Sequence, residues 1–349
     1  MNRHIYILFD VPDNKNDKEW LLEGLKDYYG DVVSSVSINH ILSEMIMLQG
    51  GWHRIYAYLI IIKQCLKTLL LSRQDDIIIC WFSTTGKIFN FLSRIFGNRQ
   101  YILAMNWLNP GIVNNDVHSF LAKYTLSNPK CIIVVNTNES PRLWRDFAGK
   151  ACNGFVVMPD VFDDTVPFIT PSTKRNDRYC FSGGYGNRDW RLLMNVASLS
   201  KSMKFVCVAK KDDFQSKVKI IPDNVEIYYN IEQSEYYNLM QGSSLVLLPL
   251  IGNTISGLVN IIRAAQLGII CSVSRTIATE QYYAEENNDL LVESNEQSWA
   301  DVINKIMTFT DKEYIDKAIS YQQYIKHQFS PQNAVSILVK TINRKFLEA

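Results

Sequence analysis

Two glycine-bearing turns carry residue types suited to binding an anion. The first is Phe181-Ser-Gly-Gly-Tyr-Gly-Asn-Arg-Asp-Trp190. Glycines let a backbone turn tightly and approach a ligand, and the N–H groups that open a following helix favour negative charge. Gly183 and Gly184 supply the turn, and Arg188 offers a bidentate charge for phosphate. An ordinary strand-to-helix turn with a surface arginine would read the same way. A Walker loop is excluded because no Gly-Lys-Ser/Thr follows, and the glycine spacing is not a clean GxGxxG. The second turn is Leu248-Pro-Leu-Ile-Gly-Asn-Thr-Ile-Ser-Gly257, running into Leu258-Val-Asn-Ile-Ile-Arg-Ala-Ala-Gln-Leu-Gly268. Thr254, Ser256 and Gly257 fall where an apolar helix begins, and Gly268 just past its end. Hydroxyls and free N–H groups at such a start suit a diphosphate. Arg263 interrupts the apolar helix, where an unpaired charge is costly, so it meets either a carboxylate or a ligand. The plainer alternative is a capped helix whose arginine snorkels to the rim.

These turns need strands before them and helices after them. Short runs rich in β-branched and aromatic residues alternate with stretches of helical period, which argues for βα units around parallel sheets. In the first half the pattern predicts strands at 4–11, 31–37, 76–82, 101–106, 131–136 and 155–159. Helices are predicted at 18–29, 52–72, 84–96, 117–127 and 140–148. The alternation restarts with strands at 179–182, 204–209, 225–229, 244–248, 269–274 and 289–293. Helices at 189–199, 234–241, 256–267, 279–285 and 297–309 accompany them. At 349 residues the chain is long for one core, and a norm of about 100–200 residues per domain suggests two. We therefore expect a first domain over 1–165, a proline-bearing linker over 166–178 and a second domain over 179–330, with a C-terminal helix over 331–349 packing back on the first.

Composition narrows the partners. With 36 basic and 35 acidic residues the formal charge is +1, so no global field for nucleic acid exists. The seven cysteines lie mostly in apolar runs without CxxC spacing, which fits reduced core residues of a cytoplasmic protein. The longest uncharged apolar run stops at Lys63, well short of the about 20 residues a membrane span needs. No Asp-x-Asp occurs and the five histidines lack ligand spacing, so no essential metal and no cofactor are expected. Between Trp52 and Asn115 seven basic residues face two acids. Arg54, Lys63, Lys67, Lys87 and Arg94 lie there on two strongly apolar helical segments. Such a surface either settles on anionic lipid headgroups or is an ordinary packed helix pair with solvated charges.

Tandem α/β domains suit a dehydrogenase, a periplasmic-type binding protein, a kinase-like enzyme or a glycosyltransferase. The order of motifs separates them. Gly183, Gly184 and Arg188 follow one strand, and Lys210-Lys211 follows the next. Ser256-Gly257 opens a helix that closes as Arg263-Ala-Ala-Gln-Leu-Gly268, and Asn288-Asp-Leu-Leu-Val292 comes after the following strand. From Tyr179 to Phe309 this resembles the donor-binding domain of GT-B glycosyltransferases, most of all the retaining family 4 group. The first half resembles that family only in its βα pattern. The resemblance implies an α/β GT-B fold of two Rossmann-like, doubly wound domains facing a central cleft. It implies a nucleotide-diphosphate sugar bound by Gly183, Gly184, Arg188, Lys210, Lys211, Thr254, Ser256, Gly257 and Arg263. The family's Glu-x7-Glu pair would fall on Ile255 and Arg263, so neither glutamate is present. The family's ribose and sugar contacts are therefore not inherited at these positions.

A retaining enzyme of this group needs no invariant protein base, because the departing phosphate helps deprotonate the acceptor. An inverting one needs a base from the first domain. Candidates are Asp10 at the end of the first strand, and Asn106, Asn109, Asp116 and His118 at or after the fourth, where open α/β sheets bind ligands. The expectation is a cytoplasmic enzyme, peripheral on the inner membrane surface. It would transfer a sugar to a saccharide or lipid-linked acceptor in surface polysaccharide synthesis, with the retention that the family resemblance implies. The alternatives are an inverting or epimerase-like enzyme of the same architecture, and a non-catalytic sugar-nucleotide-binding scaffold.

Overall fold

The computed structural model describes residues 3–9, 19–37, 51–106, 110, 116–149, 154–172, 179–184, 186–252 and 257–347. The side chains of Glu19, Ser37, Arg54, Asp116 and His118 lie outside that description. The chain forms two compact units, one of residues 1–161 with 331–349, the other of residues 162–330.

The first unit is a parallel sheet of β1 (Ile5–Phe9), β2 (Val33–Ser37), β3 (Ile77–Cys80), β4 (Tyr101–Met105), β5 (Cys131–Val135) and β6 (Phe155–Val157), in the order β2-β1-β3-β4-β5-β6. The apolar run at β3 shows why both faces must be covered. Ile77 and Ile79 point into one core and Ile78 and Cys80 into the other, as the two-residue period of a strand requires. Helices α2 (Gly51–Leu71), α3 (Ser83–Ile95), α4 (Asp116–Leu126) and α5 (Ser140–Ala148) contribute Ile61, Phe89, Ala122 and Trp144 to one core. The other face is covered by α1 (Glu19–Tyr29) together with the C-terminal helix Pro331–Ile342. That helix lies tight against α1, and a Cβ built on Gly24 would sit 2.7 Å from a Val335 methyl. The Tyr29 hydroxyl donates to Asn343 Oδ1 at 2.9 Å, and Phe346, in the π turn that ends the helix, packs on Tyr101.

The second unit pairs β7 (Tyr179–Gly183), β8 (Lys204–Ala209), β9 (Val225–Tyr229), β10 (Leu245–Leu248), β11 (Cys271–Ser274) and β12 (Leu291–Val292) in parallel, in the order β12-β11-β10-β7-β8-β9. Counted from β7 as strand one, this is the 3-2-1-4-5-6 order of a dinucleotide-type doubly wound sheet, with its direction of winding reversing between β7 and β10. Around it pack α6 (Trp190–Leu199), α7 (Lys211–Lys217), α8 (Gln233–Gln241), α9 (Leu258–Gln266), α10 (Ile277–Glu280), α11 (Glu296–Met307) and α12 (Asp311–Gln328). The C-terminal helix of the first unit is then α13.

Three details depart from the pattern. The boundary falls at 161/162 rather than 165, and residues 162–172 are not a free linker. The Gln266 amide donates to the carbonyls of Asp163 at 2.7 Å and Val166 at 3.0 Å, and the Ile169 N–H donates to the Gln266 carbonyl at 2.7 Å. Prolines prevent a helix there but not these side-chain tethers. Helix α7 shows no apolar period because Phe214 is its only buried residue. The helix expected at 279–285 is shorter, at Ile277–Glu280, with a 3-10 turn at Glu285–Leu290 beyond it.

Among the described residues no helix is long and apolar enough to cross a membrane. Six cysteines, Cys65, Cys80, Cys131, Cys180, Cys207 and Cys271, are free and buried. Replacing Gly24 by leucine should push α13 off α1 and cost about 1–3 kcal/mol, as overpacking does. Urea unfolding would read this as a lower midpoint, and an unchanged midpoint would mean that the two helices do not bear on each other.

Candidate functional site

The reversal between β7 and β10 leaves a crevice at the carboxyl ends of the strands, where both glycine turns emerge. Main-chain bonds zip the two turns together. Arg188 pairs with Leu250 as an isolated antiparallel bridge, the Asp189 N–H donates to the Pro249 carbonyl at 2.9 Å, and the Ile251 N–H to the Asn187 carbonyl at 3.0 Å. Asp189 also caps α6 by accepting from the Leu192 N–H at 3.0 Å.

Arg188 does not reach outward. It is 1% exposed, with Nε donating to the Gly183 carbonyl at 2.9 Å and Nη1 to the Gly186 carbonyl at 3.2 Å. Its guanidinium fills the space that side chains would need at two glycines. A Cβ at Gly184 would lie 2.6 Å from Nη2, and one at Gly257 2.7 Å from Nη1. Both glycines also hold left-handed backbone, φ 137° and 91°. Gly257 is the N-cap of α9, so a buried guanidinium stands beside the positive end of a helix. Burial works against that charge and lowers the Arg188 pKa, yet an arginine stays protonated. Two positive elements at one spot repel each other, and an anion between them relieves both.

These groups line a cavity of about 490 Å³ together with Asn260, Ile231, Gln233, Tyr236 and Tyr237. Asn260 Nδ2 donates to the Gly183 carbonyl at 3.3 Å. Tyr236 packs edge-on to Phe181 at 5.2 Å, its hydroxyl buried beside the Asn260 amide. Burial pushes that phenol well above its usual range, and the Arg188 charge pulls the other way. Sequence reasoning missed Tyr236 and Tyr237, since a Tyr-Tyr pair at the start of α8 carries no spacing signal.

Of the alternatives for Arg263, the structure supplies a carboxylate. Arg263 is 7% exposed, pairs with Asp163 at 3.2 Å and lies over the Tyr237 ring at 4.6 Å. Partial burial would raise the Asp163 carboxyl, but hydrogen bonds from Thr165 and Arg263 outweigh it and hold the group below its usual range. Lys210, after β8, and Lys211, the first residue of α7, are exposed and are not among the described lining residues of the cavity. Thr254 and Ser256 lie outside the described residues.

In the first unit, Asp10 and Asn109 lie outside the described residues, as do the side chains of Asp116 and His118. Asn106 stands at the carboxyl end of β4, 7% exposed, with Oδ1 lacking a partner among the described residues. It shares a small cavity with Ser83, Lys87, Thr125 and Trp144. Lys87 is thus a correction to the expected basic surface, because it is 8% exposed and faces this core rather than solvent. Arg94 is also committed elsewhere. Its Nη1 donates to the Tyr124 carbonyl at 2.8 Å and to Ser127 Oγ at 3.0 Å, and its guanidinium lies 3.7 Å over the Tyr124 ring. Lys63 and Lys67 are exposed on α2, and the Arg54 side chain lies outside the described residues.

Among the described residues no group of three or more His, Cys, Asp or Glu gathers that could hold a metal.

No family model matches the chain, and no curated protein sequence does. Solved structures do. A glycosyltransferase from Rickettsia africae ESF-5 is 12% identical with a TM-score of 0.69, all of each chain being covered. HepE of Anabaena, solved in complex with UDP and glucose, is 14% identical with a TM-score of 0.67, over 98% of this chain and 100% of that one. A UDP-forming trehalose-phosphate synthase from Burkholderia xenovorans is 11% identical with a TM-score of 0.66, again over all of both chains. At these identities the likeness speaks to architecture, and the architecture is the α/β GT-B fold expected from the sequence.

Lys87 gives this geometry a pH signature. Burial lowers its pKa from 10.5, so between the folded value and 10.5 the unfolded chain binds a proton that the folded chain does not. Stability contributed by this site therefore rises with pH across that window and is constant at its lower value below it, where both states hold the proton. Each tenfold of proton affinity lost on folding corresponds to about 1.4 kcal/mol. Lys87→Met should unfold at higher urea than the native chain at neutral pH, with the gap closing towards pH 10.5; a gap that does not change with pH would mean that Lys87 reaches water.

Proposed function

We propose that this protein is a glycosyltransferase that moves a sugar from a nucleoside diphosphate sugar to a saccharide or lipid-linked acceptor in surface polysaccharide synthesis, with retention of configuration. One observation carries the reading. At the strand reversal of the second unit, a buried guanidinium, a helix start and an aromatic wall meet in one cavity. The first two call for a diphosphate and the third for a flat ring, which together describe a nucleotide. HepE, solved with UDP and glucose, and a UDP-forming synthase share the architecture and make a UDP-sugar the first donor to test.

In this reading Arg188 and the start of α9 stabilise the charge that grows on the leaving diphosphate. The bond from the sugar's anomeric carbon to the phosphate oxygen breaks, and the bond to the acceptor oxygen forms on the same face. The acceptor's proton passes to the departing phosphate oxygen, so the protein supplies positive charge and position rather than a base. Asn106, at the end of β4, is one described polar group of the first unit placed where an open sheet presents ligands, as Asn136 is after β5.

Arg188→Ala should weaken UDP binding by tenfold or more in isothermal titration, the folded state being checked by circular dichroism. Unchanged affinity would remove Arg188 from the site. Turnover of UDP-glucose with saccharide and lipid-linked acceptors should release UDP and give a product of retained anomeric configuration by NMR. Inversion, an isomerised free sugar, or binding without turnover would each replace this reading with a rival one.

The exposed face of α2 supports attachment to the cytoplasmic face of a membrane. Trp52 is 83% and Leu70 87% exposed, and Lys63 and Lys67 stand among Leu59, Ile62, Leu66 and Leu71. Apolar anchors among lysines suit anionic lipid. The protein should float with vesicles containing phosphatidylglycerol and not with pure phosphatidylcholine. The pair Lys63→Glu and Lys67→Glu should abolish flotation, and flotation unaffected by that pair would refute the assignment.

A further inference from the structure

We infer that Tyr237 is the platform on which the nucleobase of the donor stacks, and that Arg263 serves as a positioning residue bracing that ring from outside the cavity. The inference rests on the nucleotide reading of the same cavity and goes further by assigning the base to one side chain. Of the eight described lining residues, Gly184, Arg188 and Gly257 form the end that favours an anion, whereas Ile231 and Tyr237 offer apolar surface. None of the eight is an aspartate or glutamate, so no carboxylate among them takes up the ribose hydroxyls. The base is assigned to the flat face of Tyr237, beside the polar Gln233 and Asn260.

Tyr237 is held as such a face should be. Gln233 Nε2 donates to its hydroxyl at 3.1 Å, and Tyr236 meets it edge-on at 5.7 Å. The Arg263 guanidinium lies 4.6 Å from its ring centroid, and Arg263 is itself fixed by Asp163 at 3.2 Å. Tyr237 lines the cavity and Arg263 is not among its described lining residues; the cation is assigned to the ring face turned away from the base. A ring already fixed by three neighbours loses little freedom when a base stacks on it. The arginine that stands where a ribose-reading glutamate was expected thus acts on the nucleotide through the tyrosine.

The test is isothermal titration of the full chain with UDP and, separately, with inorganic pyrophosphate. Tyr237→Ala should weaken UDP roughly five- to 150-fold, the range that base–aromatic stacking spans, and leave pyrophosphate unchanged. Retained pyrophosphate binding shows that the variant has folded. Tyr237→Phe should bind UDP as the native chain does. Arg263→Met should weaken UDP several-fold in the native background and not at all in the Tyr237→Ala background, since its effect passes through the ring. Native-strength UDP binding by Tyr237→Ala overturns the inference, and so does a parallel loss of UDP and pyrophosphate. An additive Arg263 effect overturns the bracing role. If the native chain binds neither UDP nor pyrophosphate, the nucleotide reading itself falls and takes this inference with it, an outcome distinct from the others.

Discussion

The second unit is organised around one buried cation. Arg188 cannot leave its place without breaking its bonds to the Gly183 and Gly186 carbonyls, and the main chain on either side of it is sewn to the loop after β10. Two glycines follow from that position, because at 184 and at 257 the guanidinium occupies the volume of a side chain. The crevice is thus shaped by a charge rather than emptied for a ligand. Negative charge arriving there would meet a cation held away from water beside a helix start. A site of this kind is preorganised, and binding orders little that was not already ordered.

The strand order makes that arrangement possible. Parallel strands connected by right-handed crossovers wind outward from β7 in one direction and from β10 in the other, and only between those two do the connections leave no helix over the strand ends. The first unit has its own reversal between β1 and β3, with Phe9 and Trp81 6.0 Å apart near the ends of those strands. The two sheets share a construction and differ in what stands at their carboxyl ends. One presents glycines and a guanidinium, the other aromatic rings and, further along, the Asn106 amide.

Much of the fold was legible because the strands are short, apolar and bounded by turns. Ile77–Cys80 and Cys131–Val135 sit where composition alone placed them, and their uninterrupted apolar character was itself the sign of a sheet covered on both faces. What stayed hidden depends on side-chain direction and on distance along the chain. Residue type shows that Arg188 can bind phosphate, but not that its side chain turns back beneath Gly184. Nothing local to Arg263 points to Asp163, a hundred positions upstream and just ahead of the segment that reads as a linker. Lys87 was taken for surface because lysines usually are, although Ile88 and Phe89 beside it are both buried. The tyrosines of α8 matter only through the cavity they border, and a cavity has no sequence signature.

The chain enters the second unit at 162 and returns to the first at 331. Leu21 and Leu25 of α1 therefore wait for Val335, Leu338 and Ile342, which are made after the whole of the second unit. On a ribosome the later unit has all its strands and helices before the earlier one does, so the usual N-to-C order of domain completion is reversed. Until those residues are made, one face of the first sheet stays partly bare, and that nascent surface is what a chaperone would meet.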